Sequence, residues 1–593
     1  MAEQANIDWS AEGAPRSRRF DDIYFSPEGG LDESRAVFLA GCGLPDAWRG
    51  RRRFVVGELG FGTGLNILAL LDLWRLWRPP GARLGIFSIE AFPLSPEDAA
   101  RALGAWPGLT DLARPLLRRW PTAEGFHRID FPGLGARLDL AVMEAAEALQ
   151  EWRGRADAWF LDGFAPSRNP GMWRQEVLDL VAARSAPGAR AATFTVAGAV
   201  RRGLETAAFQ LARRPGFGRK AERLEATLAG SPQPDPPPPA SKRGVTRAAG
   251  LPEAATCAPE ITVGVSPSSR KARARAAPAI PAPRMQTRGG GTPARLHAQA
   301  FARAIDLYVR LTPDAIIARG VLQLEAAERD PRRFDVVAGS RLFEPDALER
   351  LDADSAGRRL GEPRAAGGLW IAGGLVIEPR NVLETWLAGC PRIEAEAETL
   401  RRGQDGWEIL GSDGEVLAAA DIVCLAGGYG SQALWPELPL EPVRGQASFA
   451  SLPDRPQAAA WGGYVIPTRD GLLFGATHDR GRDDVEVVGS DHGRNLATLA
   501  QARPALAASL DQGRLDGRAA LRASTPDHGP VAGELAPGLW VLTGLGGRGF
   551  TLAPLLAEHV VAASLGAPSP LPDSLASTVA PRSFRRRTPH TPG

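Results

Sequence analysis

Lysine is almost missing from this chain of 593 residues: only Lys220, Lys242 and Lys271 occur, so nearly all of its 70 basic side chains are arginine. Cysteine is equally sparse. Cys42, Cys257, Cys390 and Cys424 stand far apart, with no CxxC and no zinc-ligand spacing, which argues against a disulfide scaffold or a structural zinc and for reduced thiols in a cytoplasmic protein. No run of 18 apolar residues exists, and the start, MAEQANIDWSAEG, has no apolar leader core, so neither a membrane span nor a secretory signal is expected. No internal repeat is visible. A net charge of +2 makes no demand for a nucleic-acid partner. The abundant residues are Gly (67), Pro (51), Ala and Arg, a bias that suggests a GC-rich gene.

A length of 593 residues exceeds one core and predicts at least two domains. Residues 1–229 alternate strand-like and helix-like segments. GSPQPDPPPPASKRG (230–244) then reads as a linker, because its prolines lack N–H donors and favour extended backbone. From residue 292, TPARLHAQAFARAIDLYVRL carries apolar residues three and four apart, the helical period. Short strands and helices follow, so residues 245–593 form a second α/β unit, with 245–291 atypical.

In the first unit, RRRFVVGELGFGTGLNILALLDLW (51–74) reads as strand, glycine loop and helix. Glu58 ends the strand, and Gly60, Gly62 and Gly64 let the backbone approach a ligand. A second strand, LGIFSIE, ends in Glu90, where a carboxylate can accept both hydroxyls of a ribose. A dinucleotide would want GxGxxG and phosphate donors. Here an acid precedes the glycines, E-x-G-x-G-x-G, which suits the ammonium group of S-adenosylmethionine. Glu144 follows a third strand, and Asp162 ends a fourth, ahead of a polar loop bounded by proline. Asp162 is positioned to hold or deprotonate an amine, or simply to cap a turn.

Four stretches carry a specific resemblance: FDDIYFSPEGGLDESRAVFLAGCGLP, GELGFGTGLN, WFLDGFAPSRNPGMW and ATFTVAGAVRRGLETAAF. Together, over about residues 20–228, they resemble the methyltransferase half of the MnmC family, bifunctional enzymes that complete 5-methylaminomethyl-2-thiouridine at the tRNA wobble position. The resemblance implies a Rossmann-like S-adenosylmethionine methyltransferase domain. It implies that Glu58, Gly60, Gly62, Gly64, Glu90 and Glu144 hold the cofactor, with Asp162 at the transfer site. MEAAEAL departs from the family pattern by placing Glu144 where Gly-Asp is expected. Arg201, Arg202, Arg213, Arg214, Arg219 and Lys220 are candidates for phosphate contacts.

In the second half, DIVCLAGGYGSQAL, LPLEPVRGQASF, LLFGATHD and GLWVLTGLGGRGFTLAPLLAEHVV occur in that order. They resemble the oxidoreductase half of the same family, of the D-amino-acid oxidase type. That implies an FAD/NAD(P)-binding α+β domain, with Gly427, Gly428, Gly475, Gly546, Gly547 and Gly549 near the flavin and Arg444 as an anion partner. The implied reaction is FAD-dependent removal of a carboxymethyl group, followed by methylation of the freed amine. The implied partner is tRNA, acted on by a cytoplasmic monomer without metal or membrane.

The flavin fingerprint itself is absent: residues 240–291 contain no GxGxxG. In its place stands TVGVSPSSRKARARAAPAIPAPRMQTRGGG (262–291), with six basic residues, no acid and no helical or strand period. Such a stretch reads either as a basic linker or, over about 265–288, as an off-frame translation of GC-rich DNA. Either way, weak flavin binding is expected. That leaves open an alternative in which the chain is a methyltransferase only and its second domain a non-catalytic tRNA-binding body. A flavin oxidase of free small amines, with an unrelated nucleotide module in front, is a third reading.

Overall fold

The computed structural model describes residues 3–231 and 291–581, apart from 12, 27, 28, 219, 405, 454 and 511–513. The fingerprint question and the off-frame stretch therefore lie outside the described residues. The chain divides into two compact units, Met1–Pro238 with Ala567–Asp573, and the remainder.

The first unit opens with a three-stranded sheet, β1 (Ile7–Trp9), β2 (Pro15–Ser17) and β3 (Asp22–Ile23). Its main sheet has eight strands: β4 (Arg53–Leu59), β5 (Arg83–Glu90), β6 (Gly125–Phe131), β7 (Ala136–Val142), β8 (Ala156–Leu161), β9 (Ser185–Thr193), β10 (Phe209–Pro215) and β11 (Glu222–Leu228). Their order is β10-β11-β9-β8-β4-β5-β7-β6. The five central strands run parallel, and β6, β10 and β11 are antiparallel additions at the two edges. The central strands read as near-continuous apolar runs because helices cover both faces. Separate apolar clusters fill the two faces: Trp48, Trp74 and Ile67 belong to one, and Trp152, Trp159 and Phe87 to the other. The Trp152 and Phe87 rings stack with centroids 4.3 Å apart.

From β4 the chain winds one way to β5 and β7, and from β8 the other way to β9. The switch point lies between β4 and β8, which pair from Val56↔Ala158 to Leu59↔Leu161. Ligands in open α/β sheets collect at the carboxyl ends of strands beside such a point. Glu58 and the glycine loop follow β4 there, and Asp162 follows β8.

The second unit contains a nine-stranded mixed sheet built from β12 (Ile316–Leu324), β13 (Leu348–Leu351), β14 (Gly368–Ile377), β19 (Glu441–Ser451), β20 (Ala459–Ala460), β21 (Tyr464–Pro467), β22 (Gly471–Gly475), β23 (Asp479–Arg480) and β24 (Asp516–Ser524). Two three-stranded sheets accompany it: β15 (Thr399–Gly403), β16 (Gly406–Leu410) and β17 (Val416–Ala420), and then β18 (Val423–Leu425), β25 (Val531–Ala536) and β26 (Leu539–Thr543). The helix expected from residue 292 spans Thr292–Leu311 and buries Leu296, Ala300, Phe301, Ala304, Leu307 and Tyr308. Its buried Arg303 forms a two-pronged ion pair with Glu558 of the helix Gly549–Ser564. Among the described residues no helix is long and apolar enough to cross a membrane, and Cys42, Cys390 and Cys424 are free thiols.

Candidate active sites

Gly60, Gly62 and Gly64 all take positive φ (76°, 54° and 78°), as the turn from β4 into the helix Leu65–Trp77 requires. At Gly60 the demand is also steric: a Cβ there would stand 3.1 Å from the Asp162 carbonyl oxygen. The loop thus packs directly on the segment bearing the candidate transfer acid.

The acids expected from sequence meet around this loop. Glu90 accepts from the backbone N–H of Gly62 (2.9 Å) and of Phe92 (2.9 Å), which ties the glycine loop to the end of β5. Burial raises its pKa, and those backbone donors oppose the rise. Glu58 is fully buried; Ser88 donates to its Oε2, Asn66 lies beside the carboxyl, and among the described residues its Oε1 has no partner within hydrogen-bond geometry. Burial pushes the Glu58 carboxyl well above the ordinary range, and the nearby Asp162 charge adds to the push. An orphaned buried carboxylate oxygen beside an open glycine turn fits the ammonium of S-adenosylmethionine, which brings both charge and donors.

Asp162 is half-buried and held on both oxygens. Asn66 Nδ2 donates to Oδ2 (2.8 Å) and the Gly163 N–H donates to Oδ1 (2.8 Å). Burial moves its pKa up to about 6, with the two donors pulling the other way. Such a group is ionised at neutral pH yet basic enough to take up a proton. Asn66, the second residue of the helix and the one polar residue of its first two turns, went unnoticed in the sequence; one polar residue in LNILALL is the signal that could have found it.

Glu144 has a different setting from the other acids. It is the N-cap of the helix Ala145–Glu151, accepting from the N–H of Ala146 (2.8 Å) and of Glu147 (3.3 Å), and its Oε1 pairs with Arg174 (2.8 Å). This expected cofactor acid is therefore engaged by protein donors on both oxygens. Of the basic candidates for phosphate contact, Arg213 pairs with Glu222, Arg214 with Glu225 and Lys220 with Glu33. Arg201 and Arg202 lie on the helix Gly198–Thr206, and Arg219 lies outside the described residues.

In the second unit β18 and β26 run parallel, from Val423↔Leu539 to Leu425↔Val541. Each leads into a glycine turn, Gly428–Gly430 and Gly546–Arg548, and Thr543 Oγ1 donates to the Gly428 carbonyl (2.9 Å), joining the two. Among the described residues a Cβ at Gly428 or Gly547 would meet nothing within 4 Å, and at Gly549 only Leu545 at 3.9 Å. The turns that carry Gly427, Gly428, Gly546, Gly547 and Gly549 thus lie together ahead of a 16-residue helix, Gly549–Ser564, an arrangement that fits a flat ligand or a phosphate. Gly475 belongs to the other sheet, where a Cβ would stand 3.0 Å from the Asn495 side chain. Tight packing is the visible demand there. Arg444 is fully buried and spent on Asp491 (2.7 Å) and Asp484 (2.9 Å), so it is a structural cation instead of an open anion partner.

A family model of S-adenosyl-L-methionine-dependent methyltransferases matches residues 107–229, and one of FAD dependent oxidoreductases matches residues 247–563. The chain is thus a methyltransferase fused to a flavin-dependent oxidoreductase, and S-adenosylmethionine and FAD are the cofactors of those two domain families. Similar full-length proteins carry the same pair. The tRNA 5-methylaminomethyl-2-thiouridine biosynthesis bifunctional protein MnmC of Caulobacter sp. (strain K31) is 53% identical over 98% of this chain and 97% of its own length. The protein of that name from Caulobacter vibrioides is 54% identical over 96% and 95%, and that from Maricaulis maris 39% over 99% and 97%. The chain belongs to the MnmC family.

Proposed function

We propose that this protein catalyses the last two steps of 5-methylaminomethyl-2-thiouridine formation at the wobble uridine of tRNA. The second domain removes the carboxymethyl group, and the first methylates the amine so exposed. The observation that carries the methyl-transfer half is Asp162, held by Asn66 and Gly163 against the glycine loop at the switch point of the sheet.

S-adenosylmethionine, when bound, supplies a methyl group activated by a sulfonium. Gly60, Gly62 and Gly64 would let the backbone approach it, Glu58 would receive its ammonium, and Glu90 its ribose. The amine must present a lone pair, so Asp162 accepts an N–H of the incoming nitrogen and takes the proton released as the new N–C bond forms. FAD, when bound, takes the two electrons of C–N oxidation, and hydrolysis then frees the amine. Gly427, Gly428, Gly546, Gly547 and Gly549 would hold it. The cytoplasm is the compartment this substrate implies, and a monomer suffices because the chain itself supplies all of these residues.

The lack of GxGxxG in residues 240–291 favours a second reading in which only the first domain acts. One experiment separates the two: wobble-nucleoside analysis of tRNA incubated with the protein and S-adenosylmethionine. Free-amine tRNA and carboxymethylated tRNA are supplied in separate reactions. Conversion of both supports the bifunctional reading. Conversion of the free amine alone supports methyl transfer only, and conversion of neither refutes both.

A further inference from the structure

Four aromatic side chains near the methyltransfer site are left partly exposed, Tyr24 while also packing against the core. Phe20, Tyr24, Phe92 and Phe164 are each only half-buried, and they line a cavity of about 290 Å³ that Glu90 also borders. Phe164 follows Asp162 by two residues. Its ring stacks on Phe20 (centroids 4.9 Å apart, planes 27° apart) and meets Tyr24 edge-on (5.1 Å, 77°). Tyr24 leans on the glycine loop: a Cβ on Gly62 would stand 3.2 Å from its ring.

Two of these rings come from the segment ahead of the methyltransferase core, and that segment is fastened at both ends of the site. Asp22 accepts from the Ala165 N–H (2.9 Å), and Asp21 pairs with Arg168, both on the loop after β8. On the loop after β5, Pro93 accepts from the Ala5 N–H (3.0 Å), and Asp98, in the first turn of the following helix Pro96–Leu103, accepts from Trp9 Nε1 (3.2 Å). A purely structural strap would bury its aromatic rings. This one turns them toward the cavity that Glu90 borders, with Phe164, two residues after Asp162, in its wall.

We infer that Phe20, Tyr24 and Phe164 form the seat on which the acceptor's pyrimidine ring stacks while its amine lies at Asp162. This inference rests on the methyl-transfer reading above. In the acceptor, one methylene separates the amine from the ring, so a nitrogen held at Asp162 brings the base to the nearest flat surface, the Phe164–Phe20 pair. The adenine of the methyl donor is a different case, because ribose and sulfur separate it from the transferred methyl. Aromatic platforms are the common means of holding an unstacked base, since every base has a π-face.

The test uses the full-length protein and tRNA carrying 5-aminomethyl-2-thiouridine. Phe164→Leu and Phe20→Leu keep apolar bulk and remove the ring. Each should raise the KM for this tRNA by about tenfold or more, the loss expected for one base–aromatic stack. S-adenosylmethionine affinity, read by calorimetry, should be unchanged, and Phe164→Tyr and Phe20→Tyr should restore the KM. Should Phe164→Leu fail to fold, the Phe20 pair carries the same comparison. An unchanged KM in the folded leucine variants overturns the inference. So does a loss of S-adenosylmethionine affinity in its place, which would assign the rings to the donor's adenine. A wild-type chain that leaves this tRNA unmethylated overturns the methyl-transfer reading itself, and the seat with it.

Discussion

Asp162→Asn separates what the site does from what it costs. The asparagine is nearly isosteric with the acid. Its oxygen keeps the Gly163 N–H, and Asn66 can turn its own amide to present an acceptor to the new NH₂, so the local structure should survive. Proton uptake is lost, and kcat should fall by about 10²–10⁴-fold, the usual contribution of a positioned acid–base group. Methyl transfer by the wild type should fall on the acid side as pH drops through about 6, where Asp162 becomes protonated. The variant should lack that limb. Stability moves the other way. The folded pKa of Asp162, about 6, lies above its ordinary 3.8, so the stability this group contributes is full below 3.8 and is lost as pH rises through 6. At pH 8 the buried charge costs about 3 kcal/mol, from 1.36 kcal/mol per unit, less what solvent screening removes. The variant should therefore melt several degrees higher than wild type at pH 8 and nearly level with it at pH 4. Thermal denaturation at the two pH values, beside a methyl-transfer pH profile, checks both halves. Activity within tenfold of wild type, or a persisting acid limb, would sink the assignment of Asp162.

Glu58→Gln mimics the protonated acid that burial favours, so the fold should be unaffected or slightly steadier. Because glutamine cannot ionise to meet the incoming ammonium, S-adenosylmethionine binding should weaken by about tenfold or more in a calorimetric titration. Arg444→Met should destabilise the second domain by about 3 kcal/mol, because it leaves the buried Asp491 carboxylate with only the more exposed Arg494 as ion-pair partner and strips Asp484 of its buried one. A lower denaturation midpoint of that domain is the readout. The absence of GxGxxG from residues 240–291 predicts that FAD is held loosely, so the purified protein should lose its yellow absorbance on gel filtration. A stoichiometric flavin retained through that step would refute the expectation.

How much of this was legible in the sequence divides along one physical line. Strand ends, glycine turns and the acids beside them are local patterns. Gly60, Gly62 and Gly64 could be read because positive φ confines the choice of residue, and Asp162 because a strand must end before a proline-bounded loop. Pairings across the fold were not legible. Nothing in LNILALL says that Asn66 will meet an acid 96 residues later. Nothing in VRGQ says that Arg444 will be sealed among aspartates brought in by the following helix and loop. Glu144 shows how the local signal can point two ways. An acid after a strand is equally a helix N-cap, and the structure uses it as one, with Arg174 as a second claimant. The N-terminal segment was the deepest blind spot. FDDIYF served as a family marker, yet its chemistry depends on Phe20 and Tyr24 meeting Phe164 across more than 130 positions. Only the parallel sheet, by gathering the ends of β5 and β8 at one edge, brings them there.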